Sequence, residues 1–433
     1  MKAAPRDEVL INRVQQNAFD YFLQAVNPAS GLIADSSREN SPCSIAAVGF
    51  ALSIYPVAVE RGWMTREDAV ERCLTTLRFF YESDQSGCPE ATGFKGFYYH
   101  FLAMQTGTRV WRSELSMIDT ALLIAGALTA GQYFSANVED ENRLRELVEI
   151  LYRRIDWKWA QDGNATLRQG WKPESGFLHY GWDGYSEAIV LYALALGSPT
   201  HPIGGDCYHD WTATYQWENL YGHDYLYAGP LFVHLFSHAW IDFRGIRDRF
   251  MREKRCDYFE NSQRAIEIQR EYARRNPHGF VGYDESCWGL TACDGPTEGG
   301  NDRHRVFGYA ARGVPYGPDD GTLAGWAALA TLPFAPGIAL STARNMLERY
   351  PEMQSTQKYN GSFNPSLTGT GQGAWVSTGH IGLDQGILVM MIENYRSQLI
   401  WRLMSGCRYI RTGLQRASFR GGWLKRSLSI RSR

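Results

Sequence analysis

Residues 93–128 read GFKGFYYHFLAMQTGTRVWRSELSMIDTALLIAGAL, an aromatic and polar approach that runs into an almost purely apolar segment. Ser116 and Asp119 form an S-x-x-D capping box at the mouth of a helix, and every residue from Ala121 to Leu128 is apolar or glycine. A helix with no solvent face belongs inside the molecule, so this stretch reads as a loop-built site mounted on a buried element. Glu114 lies two residues upstream of the cap, beside Trp111 and Arg112. Capping does not account for it there. A carboxylate against an indole face is a catalytic arrangement, and the plainer alternative is a solvated loop glutamate.

Working outward, helical periodicity predicts about twelve segments of alternating character. Amphipathic helices are expected at about 8–26, from the Thr65 cap to Tyr81, and at 139–155, with a charged, surface-like one at 256–276; wholly apolar ones at 45–59, from 117, and at 188–196. Further helices are expected near 230–237, 286–293, 321–332, 336–350 and 383–404, and short aromatic strands at 97–104 and 108–112. Each amphipathic helix is followed by a long loop, then an apolar helix, then a short turn. Two concentric rings of helices satisfy that order, the outer ones burying one face and the inner ones all faces, with the long loops gathered at one end. The expectation is therefore all-α, an (α/α)6 barrel or helical toroid with minor β-hairpins in its loops, filling residues 1–407 as a single catalytic domain. Residues 408–433 hold many Lys and Arg, with no Asp or Glu, and read as a disordered basic tail.

The composition narrows the partner. Net charge is -2 over 433 residues, which gives no electrostatic reason to seek nucleic acid. No run reaches the length of uncharged apolar sequence that a membrane span needs; Ile387–Met404 carries Glu393, Arg396 and Arg402. No apolar stretch follows the first lysine, so no secretory leader is visible: the chain reads as cytoplasmic as written, and as periplasmic or exported if a leader precedes it. The eight cysteines show no zinc-ligand spacing, and neither a cofactor nor a metal is expected. Asp294, Glu298, Asn301 and Asp302 are rich in oxygen but lack the spacing of a calcium loop. Aromatic residues make up 13% of the chain, and many fall in glycine-rich loops, where ring faces can cover the apolar faces of sugars. Trp111, Arg112, Trp182, Trp217, Tyr221, His223, Trp288 and Trp375 are the candidate substrate-binding residues.

Glycoside hydrolysis ordinarily needs two carboxyl groups across the scissile bond, one protonated and one ionised. Glu114, Asp119, Glu174, Asp183, Glu187, Asp319, Asp320 and Asp384 all fall at the expected loop end. Helix-end electrostatics is sufficient reason for Asp119, Asp319, Asp320 and Asp384 taken singly. Glu114 should be desolvated against Trp111 and act as proton donor, whereas Glu187, at an inner-helix N-terminus, should stay ionised.

Five ordered segments carry a resemblance: SELSMIDTALLIAGAL, GWDGYSEAIVLYALALGSPTHP, YAGPLFVHLFSHAWIDFRGIRD, GVPYGPDDGTLAGWAALATLPFAP and GLDQGILVMMIENYRSQLIWRLM. They resemble the glucoamylase-like domain of glycoside hydrolase family 144, itself similar to the glycosidase domain of cyclic β-1,2-glucan synthases. The resemblance implies an (α/α)6 barrel that acts on β-1,2-linked glucan, and it places the acidic residues on Glu114 and Glu187, with Asp119 nearby and Asp384 as a further candidate. A polysaccharide lyase, or a glycan-binding protein without activity, are the alternatives on the same kind of helical scaffold.

Overall fold

The computed structural model describes residues 5–298, 306–355, 361–368 and 373–425, and these are predominantly helical with small scattered sheets. The apolar segments behave as their composition requires. Ile45–Glu60, Met117–Tyr133, Ile189–Gly197 and Gly382–Arg396 are buried on nearly all faces. They pack in series: the Gly382 helix on the Ile45 helix, that on the Met117 helix, and that in turn on the Ile189 helix. The short helix Phe236–Trp240 touches both the Ile189 and Gly382 helices, and Gly325–Ala330 packs on the Gly382 helix.

Glycines set the closest crossing. A Cβ on Gly126 would fall 1.9 Å from the carbonyl oxygen of Gly49, and one on Gly49 would fall 2.3 Å from that of Leu122, so only glycine lets these two helices approach so near. Polar side chains inside the core find local acceptors. Ser53 Oγ donates to Gly49 O at 3.0 Å and receives the indole N–H of Trp240 at 2.9 Å.

The half-polar helices form an outer layer. Arg66–Glu82, capped by Thr65, rests on Glu139–Arg153; Pro5–Gln24 covers the Gly382 helix, and Pro336–Arg349 covers the Gly325 helix. At the end away from the long loops, Arg61 makes a bidentate pair with the fully buried Glu393 at 2.7 and 2.8 Å, and Gln15 donates to the same carboxylate at 3.1 Å.

The loops carry the strands. An antiparallel sheet is ordered Gly93–Phe94, Phe97–Tyr99, Leu115–Ser116, Gly170–Lys172, Gly176–Phe177, with Leu115 opposite both Tyr99 and Trp171. It joins the two loops that feed the Met117 and Ile189 helices.

Four expectations need correction. Residues 286–293 form no helix, and Ala292–Cys293 instead pairs with Ala310–Ala311. Residues 108–112 form no strand; only Arg109 bridges, to Leu102. The long helix from Leu383 breaks at Gln398, whose φ is 59°, and resumes as Leu399–Gly406, because the N–H groups of Ser397 and Gln398 both turn back to Glu393 O. Within residues 408–425, where a disordered tail is expected, Arg408–Arg416 is a helix lying along the Ile189 helix with Tyr409, Ile410 and Leu414 buried, and Arg420–Gly421 pairs with Ile246–Arg247. Residues 426–433 lie outside the described residues.

Candidate active site

At the loop end a cavity of about 470 Å³ is walled by residues far apart in sequence, and it is rich in carboxyl groups: Asp35, Asp119, Glu187, Asp294 and Asp384. The Met117 helix supplies Asp119 in its first turn. Ser116 caps that helix by accepting from the Asp119 N–H at 3.2 Å, and its hydroxyl donates to Asp119 Oδ2. The single serine thus ends the helix and orients the carboxylate.

Asp119 also faces His100, whose Nε2 lies 3.6 Å from Oδ2, while Nδ1 on the other side lies 2.9 Å from Glu114 Oε1. Burial alone would lower the imidazole pKa, but Asp119, Glu114 and Asp35 together overcome it and push it up to about 9. His100 is therefore an imidazolium at neutral pH. Glu114, in return, is held below the usual carboxylate range: burial acts against this, and the hydrogen bond and charge of His100, with Lys172 further off, outweigh it.

Glu187 stands in the opposite condition. It precedes Ala188, the N-cap of the Ile189 helix, and its backbone carbonyl accepts from Ser237 Oγ at 2.6 Å. Burial, and then the negative charge of Asp119, raise its carboxyl to about 7, with only its own backbone N–H acting the other way. Asp384, in the first turn of its helix, is pushed well above the ordinary carboxylate value by burial and by Asp35 and Asp294. Asp35 is raised mainly by burial. These surroundings act against the expected directions: they lower the Glu114 carboxyl and raise that of Glu187. Trp111, expected to desolvate Glu114, is 69% exposed and rests on Phe101.

The other site residues expected from sequence divide clearly. Arg112 is exposed at the rim, 3.9 Å from Glu174, which is held by a bidentate pair with the buried Arg109 at 2.7 and 3.1 Å. Trp182 is buried. Trp217, Tyr221 and His223 lie in a hairpin, where Lys254 sits 5.3 Å from the Trp217 ring and Arg275 lies 4.4 Å from that of Tyr221. Trp288 is wholly buried and donates its indole N–H to Thr342 at 3.0 Å, a packing role. Trp375 is in the strand Ala374–Val376, opposite Asn364. None of these aromatic residues is among those lining the cavity. Asp320 is locked to Arg312 in a fully buried pair, and Asp319 accepts from Tyr272 and Tyr283, so both are structural. Asp183 is exposed. Among the described residues no group of three or more His, Cys, Asp or Glu could hold a metal ion; Asn301, Asp302 and His304 lie outside them.

Sequence reasoning missed Asp35, Arg38, His100, Phe101 and Tyr309. His100 had a signal: it is the one strongly polar residue in FYYHFL, and a polar side chain set among apolar and aromatic ones needs partners. Asp35 and Arg38 had none, since their importance comes from a clamp between distant loops. Ser36 bridges to Ile381, Ser37 N–H donates to His380 O at 2.9 Å, and Arg38 pairs with Asp294, which also accepts from Ser377 Oγ at 2.9 Å.

A family model described as "Putative glucoamylase" matches residues 179–408, and the chain belongs to that glucoamylase-like family. A solved structure of the same description from Bacteroides uniformis superposes with a TM-score of 0.85 at 30% identity, covering 98% of this chain and all of that one. An endo-β-1,2-glucanase from Chitinophaga pinensis, solved with sophorotriose and glucose, gives 0.82 at 28% identity over 97% of this chain and 100% of its own. An exo β-1,2-glucooligosaccharide sophorohydrolase (non-reducing end) from Parabacteroides distasonis is 28% identical over 95% of this chain, which spans 58% of that protein's length.

Proposed function

We propose that this chain hydrolyses β-1,2-linked glucan, with Glu187 as proton donor and Asp119 as the ionised partner, in one catalytic unit that includes the Arg408 segment. The observation that carries the reading is the Glu187 carboxyl, held near pH 7 at a cavity wall by burial and by the charge of Asp119. Burial first, and then the neighbouring charge, favour the proton on Glu187, as the donor half of glycosidic cleavage requires. Glu187 gives its proton to the departing glycosidic oxygen. The facing carboxylate takes the proton of the attacking water in an inverting course, or attacks the anomeric carbon itself in a retaining one. His100, whose charged form Asp119 and Glu114 favour, holds Asp119 from the side of Glu114. The β-1,2 linkage is supported by the activities named for the Chitinophaga and Parabacteroides relatives.

The serial packing of the inner helices under an outer layer supports a helical toroid, with the cavity at its loop end. A lyase reading is disfavoured by the same geometry. An imidazole base would have to be free, whereas His100 lies between Glu114 and Asp119, which favour its charged form.

Incubation with linear β-1,2-glucan beside β-1,3-, β-1,4- and α-1,4-glucans, with products separated by size, tests the substrate. Cleavage of the β-1,2 polymer alone is the expected result, and Glu187→Gln should lower turnover by about 10²–10⁴-fold. Near-normal turnover in that variant removes Glu187 from the chemistry, and binding without cleavage by the unmodified chain makes this a glycan-binding protein.

A further inference from the structure

The cavity wall continues outward along a short aromatic series. Phe101 lines the cavity and stacks on His100, with centroids 3.9 Å apart and planes at 13°; Trp111 meets Phe101 at 5.0 Å and 59°. Trp111 is 69% exposed, although indole is among the largest apolar surfaces a side chain offers and core packing gives no reason to display it.

Its backbone is strained into that position. Trp111 and Arg112 have φ of 57° and 48°, two successive residues with side chains in the left-handed region. The loop is pinned on both sides: Arg109 Nε donates to Ser113 O at 2.6 Å, its guanidinium pairs with Glu174 and lies 4.7 Å from the Tyr99 ring, and Val110 N–H donates to Phe101 O at 3.1 Å. A ring presented on a braced loop loses little conformational entropy when something stacks on it.

We propose that Trp111, backed by Phe101, is the platform of an outer sugar subsite, on which a glucan chain emerging from the cavity lays the apolar face of a glucose unit. The exposed Arg112 and the Glu174 carboxylate beside it supply a donor and an acceptor for the hydroxyls at the ring edge. Continuity with the cavity, and one ring flanked by charge in place of a broad apolar patch, favour a sugar over a protein partner. The subsite rests on the glucan reading above, and it makes the enzyme selective for chains long enough to reach it.

Titration calorimetry in the non-cleaving Glu187→Gln background, with β-1,2-linked oligosaccharides from disaccharide to hexasaccharide, tests this. Adding Trp111→Ala should weaken the longer chains by about three- to tenfold and leave the disaccharide unchanged, and Trp111→Phe should restore most of the loss. In the otherwise unmodified enzyme, Trp111→Ala should raise KM for long chains with kcat nearly constant. An equal effect at every length, or none, overturns the subsite while the hydrolase reading stands. An unmodified enzyme inactive on β-1,2-glucan overturns both. Tighter capture of a protein than of any glucan by the Trp111 face would likewise overturn the subsite.

Discussion

Two glutamates, both at the loop end, are shifted in opposite directions by what touches them. Glu114 is bonded to His100, while for Glu187 burial and the charge of Asp119 outweigh its own backbone N–H. This divides function from stability by pH. The folded pKa of Glu187, about 7, lies above its ordinary value of 4.5, so folding favours its protonated form. Its stabilising contribution is complete below about pH 4.5 and is lost as pH rises through about 7. Activity should follow, with kcat/KM falling as pH rises through about 7 while the donor loses its proton. Glu187→Gln, nearly inactive, should be more stable than the parent above pH 7, by roughly 1–3 kcal/mol in denaturant titrations, because the buried charge is gone. A variant equally stable at every pH would mean the carboxyl is better hydrated than this cavity implies.

At the scale of elements, the Arg408 helix shows how a helix hides in a basic sequence. Tyr409, Ile410 and Leu414 make a narrow apolar stripe amid arginines, and the stripe meets the Ile189 helix where a Cβ on Gly413 would fall 1.8 Å from Ala193 O. The arginines are used at its edges: Arg416 donates to Leu196 O at 2.6 Å, and Arg408 pairs with Glu149 at 2.8 Å. Ending the chain after Cys407 exposes the apolar faces of both helices. Full burial of an aliphatic or aromatic side chain contributes about 1.5–3 kcal/mol, so the loss should reach about 5 kcal/mol or more, seen as a large fall in melting temperature or as insoluble protein. A truncated chain that melts with the parent would return this segment to the status of a tail.

At the scale of the molecule, the first and last inner helices are joined at the end away from the cavity by Arg61 and Glu393, with Gln15 from the opening helix on the same carboxylate. Arg61→Met should cost about 3–5 kcal/mol by leaving Glu393 buried without its cation, and adding Glu393→Leu should restore much of it. If Arg61→Met alone proves neutral, the pair does not tie the two halves of the chain together.

The sequence by itself determined the helical class, the inner helices and the caps Thr65 and Ser116, because an all-apolar run, or a side-chain oxygen three residues before a free N–H, is a local property. It also determined the family, through segments ordered along the chain, and the placing of Glu187, Asp119 and Asp384 at the loop end. The direction in which each glutamate is shifted was decided only by the tertiary structure, since a pKa depends on neighbours and His100 reaches Glu114 and Asp119 through strand pairing that no spacing encodes. The aromatic residues followed the same rule: Trp288 and Trp111 both sit near glycine in loops, and only packing made one a core residue and left the other open to solvent. Asp35 and Arg38 became part of the cavity because a loop near the start of the chain is bonded to one near its end, and such closure is written in three dimensions alone.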